Sequence, residues 1–310
     1  MERLHRGIHV VKTDTLRVVL FALTGFGNSV LTALLNDPRV SVEAVFTIKY
    51  DSPFPYYEEQ HLIDLCYDRD VMCYHGIKVC SEEGVALLYN HAPDLIMVAT
   101  FRQILKANVI RLPRFGVVNF HPSLLPRYRG ACPTNAALAN DEKVTGVTVH
   151  YVTEGLDDGD ILLQRSAPID EMDNDGLLRQ KLATLAGEMV PGIVDMFYGV
   201  SKPMGSPQDD DLATFAPKPT IQDGYIDLMQ GIRAAYTKMR AFNPLPGTSV
   251  LLGEKRVAVN RFTLHPDDRP DGIYTTGAAI DLVENGQAIR LYYNSVEAMQ
   301  DMECLSTGGG

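Results

Sequence analysis

Three nearly unbroken apolar runs, LRVVLFA (16–22), VEAVFTI (42–48) and DLIMVA (94–99), constrain this chain more than any other feature. A strand with one face in water alternates polar and apolar residues. One that is apolar throughout is covered on both faces, as in a parallel sheet flanked by helices. Helical patterns fill the gaps, from Ser29 to Leu35 after the turn TGFGN and from Glu58 to Tyr67. The alternation predicts βαβ units and an α/β fold with a doubly wound, mostly parallel, Rossmann-like sheet. GVVNF (116–120) predicts a further strand, stopped by Pro122, and GVTVHYV (146–152) with DILLQ (160–164) predicts a pair near the sheet edge. Over 174–199, Leu177, Leu178, Leu182, Leu185, Met189 and Ile193 recur at helical spacing and predict a long amphipathic helix.

The composition then changes. SKPMGSPQDDD (201–211) is rich in Pro, Gly, Ser and acid and reads as a linker. Beyond it a short helix near 227–240 and strands at 249–252, 256–263, 278–283 and 288–293 predict a smaller, mainly β, barrel-like domain. The expected organisation is a leader (1–15), a catalytic domain (16–200), a linker (201–216) and a β-rich C-terminal domain (217–310). The chain has 310 residues and is 45% apolar, enough to bury two cores. No run approaches the roughly 18 to 20 apolar residues of a membrane helix, and MERLHRGIHVVKTDT is too polar for a secretory signal. Five cysteines (Cys66, Cys73, Cys80, Cys132, Cys304), none paired as CxxC, argue against a disulfide framework or zinc site and for a reducing, cytoplasmic setting. The formal charge is −11, and residues 201–310 hold ten basic against fourteen acidic side chains, which disfavours nucleic acid as the main partner.

Three segments carry candidate chemistry. TGFGN (24–28) could present backbone N–H groups to a ligand at a helix start. The dinucleotide fingerprint is incomplete, with Val30 at its third glycine, so a tight structural turn, a small-ligand loop and a dinucleotide site all stay open. NFHPSLLPRYRG (119–130) places Asn119 and His121 on one side of a strand's C-terminal end, where open α/β sheets bind ligands. Both could reach one developing oxyanion. HYVTEGLDDGD (150–160) clusters Asp157, Asp158 and Asp160 around Gly155 and Gly159. It could be a solvated turn or a cation site, though the EF-hand pattern is absent. One of its acids could instead pair with His121 and keep the imidazolium near neutral pH.

Together, NFHPSLLPRYRG, GVTVHYV and GLDDGD strongly resemble the signature of the folate-dependent formyltransferases, a superfamily that includes glycinamide ribonucleotide, methionyl-tRNA and amino-sugar N-formyltransferases. The resemblance runs from about 17 to 200 and resumes at FAPKPT (215–220), YID (225–227) and RAFNPLPG (240–247), pieces similar to the second domain of the tRNA enzyme. It implies an N-formyltransferase that moves the formyl group of 10-formyltetrahydrofolate to a primary amine without a metal. It also implies a catalytic set of Asn119, His121 and Asp157, the acid directly after the Gly-Leu step, with His150 in support. His121 and Asn119 would then donate to the oxyanion, while Asp157 would keep His121 protonated and help remove the amine proton. The folate would lie against Phe101, Arg102, Gln103, Ile104 and Leu105 and against Thr153, Glu154, Gly155 and Leu156. Hydrolytic release of formate by similar residues stays open.

The acceptor is read from departures. Where the tRNA enzymes carry a basic insertion, this chain has YDSPFPYYEEQHL (50–62), aromatic and acidic. Such a segment repels phosphate, while Phe54, Tyr56 and Tyr57 suit stacking on a base or sugar or, alternatively, merely fill an irregular loop. CPTNAALANDE (132–142) is similar to the amino-sugar enzymes, and Ser123 and Asn135 join the acceptor set. The expected acceptor is therefore a small-molecule amine, a nucleotide-linked amino sugar, with methionyl-tRNA, or an amino acid or other small amine, as the alternatives. A homodimer is allowed, and no membrane is involved.

Overall fold

The computed structural model describes residues 15–49, 60–199, 202–276 and 278–293. Strands β1 (Leu16–Ala22), β2 (Val40–Thr47), β3 (Cys73–His75), β4 (Leu95–Ala99), β5 (Val117–His121), β6 (Val144–Tyr151) and β7 (Ile161–Pro168) form one sheet. Its order is β3-β2-β1-β4-β5-β6-β7. The first five strands run parallel, and β6 and β7 close one edge as an antiparallel pair.

The apolar runs are explained by burial on two sides. Val18, Leu20 and Ala22 of β1 face helices α1 (Phe26–Leu35) and α6 (Asp175–Phe197), where they meet Leu31, Leu182 and Met189. Val19 and Phe21 face the opposite layer, with Val79, and with Leu88 of α3 (Glu82–His91). Every residue of β4 is buried. Helix α6 starts where the Asn174 side chain accepts the Leu177 N–H at 2.9 Å. Helix α2 (Leu62–Asp68) covers only the later part of the predicted 58–67 helix, whose first two residues lie outside the described ones.

Both glycines of the Gly-rich turn have a structural reason. Helix α1 begins at Phe26, three residues before the predicted start, because Gly25 adopts φ +97° and donates its N–H to Asn28 Oδ1 at 3.1 Å. At Gly27 an added Cβ would stand 2.7 Å from the Ala22 Cβ, so α1 approaches β1 only through glycine.

The second sheet is antiparallel and curled, in the order β10-β11-β12-β9-β8. It comprises β8 (Thr248–Leu252), β9 (Lys255–Pro266), β10 (Gly272–Thr276), β11 (Ala279–Glu284) and β12 (Gln287–Tyr293). Strand β10 has no counterpart in the sequence expectation. It is an edge strand that buries none of its residues, so it carries no apolar alternation to read. Helix α7 (Gly231–Phe242) lies against this sheet through Ala235, Tyr236 and Met239.

The stretch 203–216 joins the sheets without standing free. Ser206 and Ile161 exchange two backbone hydrogen bonds of 2.8 Å, Thr214 N–H donates to Pro126 O at 3.3 Å, and Arg129 exchanges bonds with Thr214 and Ala216. Among the described residues no helix is long and apolar enough to cross a membrane.

Contacts from α7 also reach the first sheet's helices. Buried Arg240 donates to the carbonyls of Asp173 (2.5 Å) and Asp170 (2.8 Å), and Ala241 O accepts from Asn135 Nδ2 at 2.7 Å. Arg240→Ala removes the donors and leaves two carbonyls short of partners, so urea unfolding should show a loss of about 2 to 3 kcal/mol. A change below about 0.5 kcal/mol would mean that the guanidinium does not hold this junction.

Candidate active site

Period-two geometry sorts the residues of β5. Val118 and Phe120 enter the core beneath α1 and α6, so Asn119 and His121 turn to the other face. Antiparallel pairing then sets Asn119 opposite His150 and His121 opposite Thr148. The β6–β7 loop delivers Asp157 to the same place.

The three sequence-predicted residues come together, with His150 among them. Asn119 Nδ2 stands 3.2 Å from His150 Nε2 and 3.5 Å from Asp157 Oδ1. His150 Nδ1–H donates to the Tyr151 carbonyl at 2.8 Å, which leaves Nε2 to accept from Asn119. His121 Nε2–H donates to the Tyr128 carbonyl at 2.8 Å and so turns Nδ1 toward Asp157 Oδ2, 3.6 Å away. Asp157 Oδ2 also accepts the Gly130 N–H at 2.8 Å, and Oδ1 lies 3.5 Å from His150 Nε2.

Burial decides the resting charge. It is the largest influence on His121, which is 3% exposed, and it pushes the imidazole below its ordinary value despite the Asp157 carboxylate; neighbouring His150 pushes the same way. The expectation of a persistent imidazolium is therefore corrected, because desolvation outweighs the single carboxylate. Burial also acts to raise Asp157. The His150 ring 3.5 Å from Oδ1, the charge of His121 in acid and the Gly130 N–H overcome it and hold the carboxyl at about 2.

Around this centre the predicted folate residues divide. Phe101 stacks on Phe21 with centroids 5.2 Å apart, and Phe101, Leu105 and Val152 pack together against the core. Ile104, between β4 and β5, and Leu156, on the β6–β7 loop, expose 86% and 56% of their surface. Arg102, Thr153, Glu154 and Gly155 are exposed, and Gly155 N–H donates to Thr153 Oγ1 at 3.0 Å. Gln103 is spent on structure, since its amide bonds Val79 N–H (2.9 Å) and Ile77 O (2.8 Å). A cleft of about 830 Å³ borders the β6–β7 loop, lined by Val117, Val152, Thr153, Asp158 and Lys202 among others, and none of Asn119, His121, His150, Asp157 or residues 101–105 lines it.

The acceptor residues fare differently. Ser123 is wholly buried and donates to Arg127 O at 2.7 Å. Asn135 is buried between Ala241 O and the Arg179 guanidinium, 3.0 Å from its Oδ1. Both side chains are engaged by the protein itself. Phe54, Tyr56 and Tyr57 lie outside the described residues. Among the described residues no group of three or more His, Cys, Asp or Glu gathers as metal ligands. Sequence reasoning passed over Tyr128, Gly130 and Gln208. The first two stand inside the quoted RYRG but act through backbone atoms, and the third sits in a stretch read as linker.

Residues 43–194 match the profile of the family described as "Formyl transferase". The chain is 40% identical over 173 residues to the methionyl-tRNA formyltransferase of Syntrophus aciditrophicus, covering 56% of this chain and 55% of that one. It is 35% identical over 197 residues to that of Geobacter sulfurreducens, covering 64% and 62%. The aligned part thus spans little more than half the length of these curated relatives. An N-formyltransferase of Helicobacter canadensis, solved with folinic acid and dTDP-3-aminofucose, shares the fold over 90% of this chain and 100% of its own, with TM-score 0.68 and 16% identity. A glycinamide ribonucleotide transformylase of Symbiobacterium toebii covers 67% of this chain and 99% of its own, with TM-score 0.52 and 24% identity. The profile lies over the very strands and loop that assemble Asn119, His121 and Asp157, and these likenesses together support the formyltransferase superfamily.

Proposed function

We propose that this protein transfers the formyl group of 10-formyltetrahydrofolate to a primary amine, and that the amine belongs to a small molecule, a nucleotide-linked amino sugar. The convergence of Asn119, His121 and Asp157 at the end of β5 carries the first part. Ile104, Leu105 and Leu156 would offer apolar surface to the pterin of the donor, which supplies an activated one-carbon acyl group. Asn119 Nδ2 then donates to the formyl oxygen as negative charge grows on it, a contribution of about 3 kcal/mol for one such donor. The attacking amine must shed a proton. Neutral His121 accepts it at Nδ1, the atom facing Asp157 Oδ2, and the carboxylate stabilises the ring as it becomes cationic. Collapse of the tetrahedral intermediate then breaks the bond from the formyl carbon to N10, and the imidazolium returns its proton to that nitrogen as tetrahydrofolate leaves. His150 fixes the Asn119 amide through its Nε2.

The net charge of −11 supports the small acceptor, as does the match across 90% of the chain, second sheet included, to an enzyme solved with a nucleotide-linked amino sugar. The 40% identity to a methionyl-tRNA formyltransferase favours a second acceptor, methionyl-tRNA. Offering 10-formyltetrahydrofolate with a panel of dTDP- and UDP-linked amino sugars and with methionyl-tRNA decides between them. The amino-sugar acceptor predicts product with a sugar nucleotide and a shallow salt dependence. Formylation of the tRNA alone, falling steeply with salt, would replace it.

Asn119→Ala should lower kcat by about 10²- to 10³-fold with little change in the KM of the donor, as expected for a donor used in the transition state. His121→Ala and Asp157→Asn should each lower kcat at least comparably. Activity within a few-fold of wild type in all three would refute the assigned roles.

Protonation gives an independent check. NMR of ring-labelled histidine, assigned with His121→Asn, should find His121 titrating below 6.5, and lower still in Asp157→Asn, which removes the opposing carboxylate. The Asp157 carboxyl lies at about 2 in the folded chain against 3.8 ordinarily, so it contributes stability above 3.8 that is lost as pH falls toward 2. Between pH 5 and pH 3 wild type should lose about 1 kcal/mol more than Asp157→Asn in urea unfolding. Parallel curves would show that the carboxylate is not held by these partners.

A further inference from the structure

The stretch 203–216 crosses the site and touches both of its halves. Near one end Ser206 pairs with Ile161, just past the Asp157 loop. At the other, Thr214 and Ala216 pair with the segment that runs from Pro126 to Cys132. Gln208 sits between them. Its Nε2 donates at 2.8 Å to the carbonyl of Asp157 and at 2.8 Å to that of Gly159. Its Oε1 accepts from Arg129 Nε (3.1 Å) and Nη2 (2.9 Å). A primary amide has two donor hydrogens and two acceptor lone pairs, and all four are used here.

Arg129 stands between two backbone groups that define the site. The carbonyl before it, on Tyr128, orients His121, and the N–H after it, on Gly130, holds Asp157. Asp157 (φ +50°) and Tyr128 (φ +62°) both occupy the left-handed region, which residues other than glycine keep when surrounding contacts enforce it. Gln208 grips the carbonyl of the first, and Thr214 Oγ1 accepts the N–H of the second at 2.9 Å. Arg129 is itself buried and paired with Asp210 at 2.8 Å.

The geometry points to Gln208 as a positioning residue for the proposed transfer: its amide locks the loop carrying Asp157 to the loop that orients His121, and so sets the spacing of the pair that takes the amine proton. This role rests on the formyl-transfer reading above. It makes the joining segment part of the active-site scaffold, so that the second sheet is tethered through the catalytic loops themselves.

Gln208→Leu keeps the bulk and removes every hydrogen bond, while Gln208→Glu keeps an acceptor for Arg129 and removes both donors. In the full chain each should lower kcat by about 10- to 100-fold, with both KM values within about threefold and the thermal midpoint within a few degrees of wild type. Leu212→Ala, on an exposed part of the same stretch, should change none of these. Carbon-detected NMR of the Asp157 carboxyl, which needs no acceptor, should show its midpoint move from about 2 toward 3.8 in both Gln208 variants. An Asp157 titration that stays in place overturns the inference, whatever the fate of the transfer reading. So does kcat within threefold of wild type, or a loss carried by KM alone. Should Gln208→Leu fail to fold, Gln208→Glu decides on the same readouts.

Discussion

One carboxylate, that of Asp157, is the point at which three separate stretches of chain meet. It accepts the Gly130 N–H from the loop after β5, lies against His121 of β5 and His150 of β6, and hangs from a backbone whose carbonyl is held by Gln208. A charge so largely removed from water is stable only with partners on several sides. The partners are therefore also the positioning device. Any displacement that frees the carboxylate for solvent simultaneously releases the two loops that it joins.

The sheet explains why this meeting can occur at all. Parallel β4 and β5 end together on one edge, and the antiparallel β6 returns alongside β5, so that His150 arrives beside Asn119 without any loop having to carry it. Polar residues on buried strands cost stability unless they find one another. Asn119 and His150 do so directly, and the remaining ring nitrogen of each histidine is satisfied by a backbone carbonyl, from Tyr128 or Tyr151. The tautomers follow from those two carbonyls, since a carbonyl can only accept.

Much of this was legible in the residues. Strands apolar on both faces announced the parallel sheet, and the alternation within VVNFH put Asn119 and His121 on one face because strand geometry allows nothing else. Strand β10 was illegible because an exposed edge strand leaves no apolar trace. The joining stretch was misjudged for a related reason. Its Pro, Gly and acid content describes its side chains, whereas most of its attachment runs through backbone groups and the one amide of Gln208. The charge of His121 was misjudged because pairing with an acid can be read from spacing, while the loss of water around a ring cannot. Ser123 and Asn135 show the same limit, since their positions in the motif say nothing of the carbonyls and the guanidinium that engage them.

A neutral His121 beside an ionised Asp157 also makes better sense of the proposed chemistry than a resting ion pair. Were the imidazolium already formed, its attraction to the carboxylate would be present before the reaction and would add nothing to the transition state. With the ring neutral, the cation appears only as the amine gives up its proton. The Coulomb attraction across 3.6 Å then develops in step with the charge on the formyl oxygen at Asn119. Burial, which disfavours the imidazolium at rest, strengthens that attraction once the ring is charged, because little water remains to screen it. The same desolvation that corrects the expected protonation state would thus let two distant loops, joined by Gln208 and Arg129, act on one proton in the proposed transfer.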